Sequence, residues 1–417
     1  MVSQDSITVI GGGISGVTVA AEAAEVGYNV TLIEKGPYLG GRVSRMHSYF
    51  PKLCAPDCGM EINYRRIKNN PKISVITQGE IKNISGNPGN YDVTVKVTPR
   101  MVNDNCTACG KCAEVCPVER ANDFNYGMDK TRAIYLSSGM AFPMKYTIDR
   151  EVCPGTECGK CVEACAYNAI DLGMTEETLE IKTGGIVIAT GWKPYDATKL
   201  DNLAFGQAPN VITNAMMERL AAVDGPTGGK ILRPSDNAEP KSIAFVQCAG
   251  SRDQNHLPYC SGVCCMGSLK QINYVKEQYP DCQISMFYID IRAQGYLEDF
   301  LVKVQEMENV SLIKGKVAKI TEVSGGSLKL EVEDIAAGNK INPEIEMVVL
   351  ATGLVPSIAD ERLPGDVNYD DYGFVAPDNA GIVGAGCAKR PTDVSSSVMD
   401  ATGATIKAIQ SVVGGGA

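Results

Sequence analysis

Short apolar runs, separated by glycine-rich turns, set the rhythm of the chain. Ile7 to Ile10 is a β-branched run that predicts a strand. Ile14 to Gly27 is Ala-rich with helical spacing, and Val30 to Ile33 predicts a second strand ending in Glu34. Residues 72–100 read as hairpin material, with the turn GNPGN between ISVITQGEIKNI and YDVTVKV. The pattern then changes. Over residues 101–172, charges of mixed sign surround eight cysteines in two blocks, and strand patterning resumes at Leu179 with LEIKTGGIVIATG. A module is therefore expected to be inserted between two strands of the first domain. Residues 192–240 are rich in Pro, Gly and Asn with one helical stretch, ITNAMMERLAAV, and read as a connection or docking surface. A second strand–helix–strand unit follows: IAFVQ, a helix from about Gly267 to Gln278, then ISMFYID. The chain closes with MVVLATG, a loop, GIVGAGC and a helix from about Val394 to Val412.

This order predicts an α/β fold with the layout of a two-domain flavoprotein of thioredoxin- and glutathione-reductase-like Rossmann units, here with a cysteine-rich insert whose spacing, given below, is that of a two-cluster ferredoxin module. The expected parts are a FAD domain over 1–100, the insert over 101–172, and the FAD domain again over 173–200. A degenerate nucleotide-binding-like domain spans 201–353, and 354–417 returns to the FAD domain.

Composition narrows the chemistry. The 417 residues include 16 Cys but 2 His and 1 Trp, with 39 Lys+Arg against 49 Asp+Glu and a formal charge of −10. An acidic chain argues against a nucleic-acid partner, and two histidines leave little room for imidazole catalysis. No signal-peptide pattern opens the chain, and no apolar run reaches the ~18 residues of a membrane span. A cytoplasmic chain is expected, with any membrane link made through a partner. Sixteen cysteines in such a chain point to metal ligands rather than disulfides.

Gly11-Gly12-Gly13-Ile14-Ser15-Gly16 fits G-x-G-x-x-G between a strand and a helix, with Glu34 18 residues beyond Gly16. Gly11 permits the turn, Gly13 lets backbone reach a diphosphate, Gly16 lets helix and strand pack, and Glu34 accepts from a ribose hydroxyl. Lys35 follows it. FAD is favoured over NAD by Gly40-Gly41-Arg42, with a phosphate-seeking Arg, and by the strand ends Ala189-Thr190-Gly191 and Ala351-Thr352-Gly353. Ile81 joins the expected cofactor contacts. Gly386-Cys387 stands where flavoproteins of this layout carry Gly-Asp, and a helix opening near Val394 would face the flavin edge. After IAFVQ the chain has Cys248-Ala249-Gly250-Ser251-Arg252 in place of a second glycine motif, which argues against NAD(P)H there.

Cys106, Cys109, Cys112 and Cys116-Pro117 fit C-x2-C-x2-C-x3-C-P, and Cys153, Cys158, Cys161 and Cys165 repeat the pattern with two extra residues in the first gap. In two-cluster ferredoxins each fourth Cys serves the other cluster. One cluster is thus expected on Cys106, Cys109, Cys112 and Cys165, the other on Cys153, Cys158, Cys161 and Cys116. Thiolate zinc sites are the competing reading. Cys248, Cys260, Cys264 and Cys265 form a further set, open to three readings: a third cluster, redox thiols or buried apolar cysteines. Cys54 and Cys58 read equally as a redox pair, extra ligands or packing, and Cys282 as core.

With both cysteine blocks inside a flavin domain, the chain resembles the A-type subunits of heterodisulfide reductase. The stretches GGGISG, FPKLCAPDC, TRAIYLSSGMAFPMKYTID, QCAGSRD and YCSGVCCMGSLK carry the resemblance over nearly the whole chain. It implies that Cys248, Cys260, Cys264 and Cys265 hold a third [4Fe-4S] cluster, beside FAD and the two ferredoxin-type [4Fe-4S] clusters, and that Lys270 lies near the flavin N5. It also makes the Gly386-Cys387 ending unexceptional. Members of the family are usually longer at both ends; within it the shorter layout looks like the A-type subunits of quinone-interacting membrane-bound oxidoreductase complexes. That implies sister subunits, one of them membrane-associated and facing the quinone pool. It implies electron transfer between menaquinone and adenylylsulfate reductase in sulfate respiration, with flavin-based bifurcation or confurcation compatible with it. A heterodisulfide-reductase-type subunit with a soluble donor and an NAD(P)H-dependent disulfide reductase are the alternatives.

Overall fold

The computed structural model describes residues 5–50, 52–377 and 380–414. The chain divides into two compact units. One takes the residues up to Trp192 together with those from Pro356 onward; the other spans Lys193–Val355.

The first unit is built on a parallel sheet. Strand β1 (Ser6–Ile10) lies between Gly185–Ile188 and β2 (Asn29–Glu34), with β3 (Ile73–Thr77) beyond β2 and Ile382–Gly384 at the other edge. All pairings in this sheet are parallel. The central strands bury both faces, as expected for a sheet covered on two sides. Helix α1 (Ile14–Glu25) covers one face with Val17, Val19, Ala20, Ala23 and Ala24, and packs on Ala401, Ala404 and Ala408 of the C-terminal helix. These small residues let the two helices approach closely.

The hairpin expected over 72–100 is shorter than the pattern suggested. Ile73–Thr77 belongs to the parallel sheet, and the hairpin is β4 (Gly79–Asn87) with β5 (Asn90–Val97). Gln78 takes φ 58 between the two, turning the chain from one sheet into the other. β5 then pairs antiparallel with Glu177–Thr183, matching Val97 with Glu177 and Tyr91 with Thr183. The cysteine-rich insert thus leaves and re-enters at adjacent positions of one ladder. Insertion costs the sheet no pairing, because the two ends of the insert are already held side by side.

The second unit has its own mostly parallel sheet, in the order Val211–Thr213, Met347–Thr352, Ser242–Ala249, Gln283–Tyr288 and Val310–Glu322, continued by antiparallel strands. Its core gathers Ala244, Val246, Phe287, Leu328, Leu330, Val348 and Leu350. The helix expected from about Gly267 begins earlier, at Cys264, and runs to Gln278, so the paired cysteines form its first turn. Among the described residues no helix is long and apolar enough to cross a membrane.

Candidate flavin and iron–sulfur sites

The turn after β1 has no room for side chains. A Cβ on Gly11 (φ 110) would meet the Ala189 carbonyl oxygen at 2.4 Å, and one on Gly16 would sit 1.8 Å from the Gly11 oxygen. Gly13 differs: the nearest atom to its missing Cβ is the Gly41 Cα, 3.9 Å away, which leaves the open backbone cradle that a diphosphate needs. Ile14 and Ser15 begin α1, and the Ser15 hydroxyl reaches the Ser397 carbonyl at 3.5 Å. Glu34 accepts from the Gly12 N–H at Oε2 and from the Gly36 N–H at Oε1, both at 2.7 Å. Burial outweighs those two bonds and the Arg45 charge, and raises its carboxyl above the ordinary range. The carboxylate is held at the end of β2 with lone pairs to spare for a ribose hydroxyl.

Thr190 Oγ1 is buried and finds no hydrogen-bond partner among the described residues, so the strand end Thr190-Gly191 presents an unsatisfied polar atom. The Gly386 N–H donates to Asp400 at 2.8 Å, and Lys389 pairs with the same carboxylate at 2.6 Å. Cys387 is buried, and its Sγ donates to the Thr392 carbonyl at 3.3 Å. Val394 opens the final 21-residue helix. The strand-end polar atom, the glycine cradle and the acidic β2 end fit a flavin dinucleotide.

Three further expected contacts are already engaged within the protein. Lys35 pairs with Glu361 at 3.0 Å, both well exposed. Ile81 is packed with Ile10, Ile33 and Val95 in the core. Gly353 belongs to the second unit, where its missing Cβ would meet Ser251 Oγ at 2.3 Å.

In the inserted module six of the eight cysteines belong to the core. Cys112 and Cys161 are buried among Met101, Ile134, Ile148 and Ile170, with Cys106, Cys116, Cys153 and Cys165 packed around them. Burial, then the thiol of Cys106 and that of Cys109, push Cys112 up to about 12. Cys161 is raised by burial and by Cys153 and Cys116. A small pocket is lined by Cys116, Cys153, Cys158 and Cys161. The Ala169 N–H donates to Cys165 Sγ at 3.4 Å. Among the described residues no three His, Cys, Asp or Glu side chains converge tightly enough for a single metal ion. The donor set, soft thiolates at ferredoxin spacing, fits iron–sulfur clusters.

The third set lies in the second unit. Cys248 sits at φ 57, a left-handed conformation that costs a non-glycine residue about 1 kcal/mol. Burial and the charges of its neighbours push Cys248 up to about 11 and Cys264 higher still, and the charges that raise Cys264 are those of Cys265, Cys248 and Cys260. Cys264 and Cys265 open the helix Cys264–Gln278, and the Arg292 N–H bonds to Cys265. Farther along that helix Lys270 is buried and paired with Glu218 at 3.1 Å, and the Gln271 amide and the Tyr274 hydroxyl donate to the same carboxylate at 2.7 and 3.3 Å.

Arg45, Tyr126, Glu218 and Asp400 escape the sequence patterns. Arg45 is three residues past Arg42, in the loop after the glycine doublet, a signal that was readable. Tyr126, Glu218 and Asp400 are set by tertiary approach and leave no local mark.

Residues 9–74 match a family described as an NAD(P)-binding Rossmann-like domain, and residues 99–119 match a 4Fe-4S binding domain. The chain is 35% identical over 427 residues to the A-type subunit of the H(2):CoB-CoM heterodisulfide,ferredoxin reductase of Methanothermobacter thermautotrophicus, an alignment covering 99% of this chain and 64% of that protein. It is 37% identical to the A-type subunit of the ferredoxin/F(420)H(2)-dependent CoB-CoM heterodisulfide reductase of Methanosarcina acetivorans, covering 97% of this chain and 53% of that one. For the A-type iron-sulfur subunit of the CoB--CoM heterodisulfide reductase of Methanocaldococcus jannaschii the identity is 37%, with 96% and 63% covered. The chain spans between about half and two thirds of the length of these relatives. Among solved structures, thioredoxin reductase of Lactococcus lactis superposes with a TM-score of 0.53 at 13% identity, covering 98% of this chain and 99% of that one. That of T. acidophilum gives 0.52 at 13%, covering 99% of both. At such identity the likeness is one of fold.

Proposed function

The chain belongs to the family of heterodisulfide reductase A-type subunits, and on that footing we propose that it is the FAD- and iron–sulfur-carrying electron-transfer subunit of a quinone-interacting membrane-bound oxidoreductase complex. The observation that carries this reading is the placement of both ferredoxin-type thiol sets in the same compact unit as the glycine cradle. When bound, FAD exchanges electrons in pairs and each cluster exchanges them singly, so such a protein joins the two kinds of transfer.

The chain's own residues supply the holding and wiring. Gly11, Gly13, Gly16, Glu34, Gly41, Arg42, Thr190, Gly191 and Gly386 form the flavin seat. Cys106, Cys109, Cys112 and Cys165 hold one cluster, and Cys153, Cys158, Cys161 and Cys116 the second. Cys248, Cys260, Cys264 and Cys265 hold the third. Several contacts tie the insert to the cradle. Tyr38 donates to the carbonyls of Tyr135 and Lys145 at 3.0 and 2.9 Å, Tyr64 stacks on Phe142 with centroids 5.0 Å apart, and Leu39 N–H bonds the Phe142 carbonyl at 2.8 Å. Electron tunnelling needs such fixed spacing. Lys270, held by Glu218, is the positive group assigned to the flavin N5.

The partners in this reading are adenylylsulfate reductase and a membrane-associated, quinone-facing sister subunit, with the chain on the cytoplasmic side. The test is anaerobic purification of the native complex, reduction with a menaquinol analogue, and addition of adenylylsulfate reductase. Reoxidation of the clusters by that enzyme supports the reading. Reoxidation by a heterodisulfide alone overturns it in favour of a heterodisulfide-reductase-type subunit with a soluble donor, the function named for the relatives.

A further inference from the structure

Two arginines after the glycine doublet lie close together, with the carboxylates of Glu34 and Asp123 near Arg45 but not paired with it. Among the described residues neither Arg42 nor Arg45 forms an ion pair. Their partners are neutral: Arg42 Nε donates to the Trp192 carbonyl and Nη1 to the Tyr126 hydroxyl, both at 3.2 Å, and Arg45 Nη1 donates to the Asp123 carbonyl at 2.8 Å. The Asp123 carboxylate is taken by Arg120 at 2.8 Å. The rest of each guanidinium lies over rings. Arg42 is 5.7 Å from the Tyr126 centroid and 5.9 Å from that of Trp192; Arg45 is 5.2 Å from Phe124 and 5.5 Å from Tyr126. Burial, and then the charge of Arg42, lower the proton affinity of Arg45.

Half-buried like charges with unused N–H donors make an anion seat, and a guanidinium pair suits the oxygens of a phosphate ester. The seat adjoins Gly41, whose Cα is the nearest atom to the open side of Gly13. Its other wall belongs to the insert, since Asp123, Phe124 and Tyr126 all lie within residues 101–172. We propose that Arg45 joins Arg42 in a two-guanidinium seat for the diphosphate of a flavin dinucleotide, and that filling the seat locks the ferredoxin module onto the cradle through Tyr126. The inference rests on the FAD reading of the cradle and adds to it a second diphosphate contact and a coupling. An anion neutralising both arginines removes the repulsion that otherwise opposes their convergence on one tyrosine. Coupling of this kind is reciprocal: whatever docking the module contributes to diphosphate affinity, the diphosphate contributes to docking.

The experiment uses the full, cluster-loaded chain freed of flavin, with hydrogen exchange over residues 119–132 followed while FAD or ADP is added. ADP carries the diphosphate without the isoalloxazine. Both ligands are expected to slow exchange in that segment. Arg45→Ala should weaken FAD binding about tenfold, as for loss of a charge-assisted hydrogen bond, and abolish the ADP-dependent protection while iron content stays unchanged. Arg45→Lys should recover part of both effects, and Tyr126→Phe, which keeps the ring, should lose part of the protection. If Arg45→Ala costs iron, the latter two variants decide. Equal FAD affinity in wild type and the Arg45 variants, or exchange over 119–132 indifferent to FAD, overturns the inference and leaves the FAD reading standing. A wild-type chain that takes up no FAD defeats that reading itself.

Discussion

Cys116 and Cys161, one from each cysteine run of the insert, line the same cavity, together with Cys153 and Cys158. The fourth cysteine of the first run therefore faces the set built by the second. Cys116→Ala should remove one cluster of three, about four irons of about twelve, and leave the Cys106 set intact. Cys282→Ala, which truncates a buried residue of the second unit, should leave the iron count unchanged. Iron and acid-labile sulfide assays on the two variants check this; an undiminished count in Cys116→Ala would sink the crossed assignment.

Gly13 and Gly16 should fail in different ways. Gly16→Ala drives a methyl into the Gly11 carbonyl and should prevent the turn from forming, with little folded protein recovered. Gly13→Ala meets nothing closer than 3.9 Å, so the flavin-free protein should melt within ~0.5 kcal/mol of wild type yet bind FAD at least tenfold more weakly. Calorimetry and flavin titration separate the two. Tight FAD binding by Gly13→Ala would show that the diphosphate does not lie there.

Glu34 gives a pH signature. Its folded carboxyl binds a proton more tightly than the unfolded one because burial raises it. Stability of the flavin-free chain therefore falls as pH rises from ~4.3, the ordinary glutamate value, through the raised one. Glu34→Gln should remove this component and cost about 1–2 kcal/mol by losing one of the two backbone N–H acceptors. Melting temperatures of wild type and variant, compared across that range, should converge as pH rises. Parallel curves would show that the carboxyl is not perturbed.

Lys270 separates structure from function. Lys270→Met strands the buried Glu218 carboxylate and should cost about 3 kcal/mol; Lys270→Met with Glu218→Gln removes both charges and should recover most of it. If Lys270 acts on the flavin, the double variant still shows a shifted flavin potential and lost turnover in the complex. Recovery of all three measurements would assign the pair to packing alone.

Local signals were legible where the backbone itself makes the site. G-x-G-x-x-G, the cysteine spacing and the strand ends place the cradle and the thiol sets because each is fixed within a few residues of its own chain. What escaped is set by distant segments meeting. The pairing of Val97 with Glu177 explains why the insert is tolerated, yet neither residue announces it. Ile73–Thr77 and the strand after it share one apolar pattern but enter different sheets, since a single left-handed residue, Gln78, turns the chain between them. The Lys270–Glu218 pair and the Arg45–Tyr126 contact depend on approach in space, which periodicity does not encode.

A flavin protein with three iron–sulfur clusters has a fixed elemental ratio, and iron, acid-labile sulfide, zinc and FAD measured on one anaerobic preparation read it out. About twelve irons and twelve sulfides per FAD are expected, with zinc at background. Zinc bound in stoichiometric amount without labile sulfide would contradict the assignment of these cysteines to clusters.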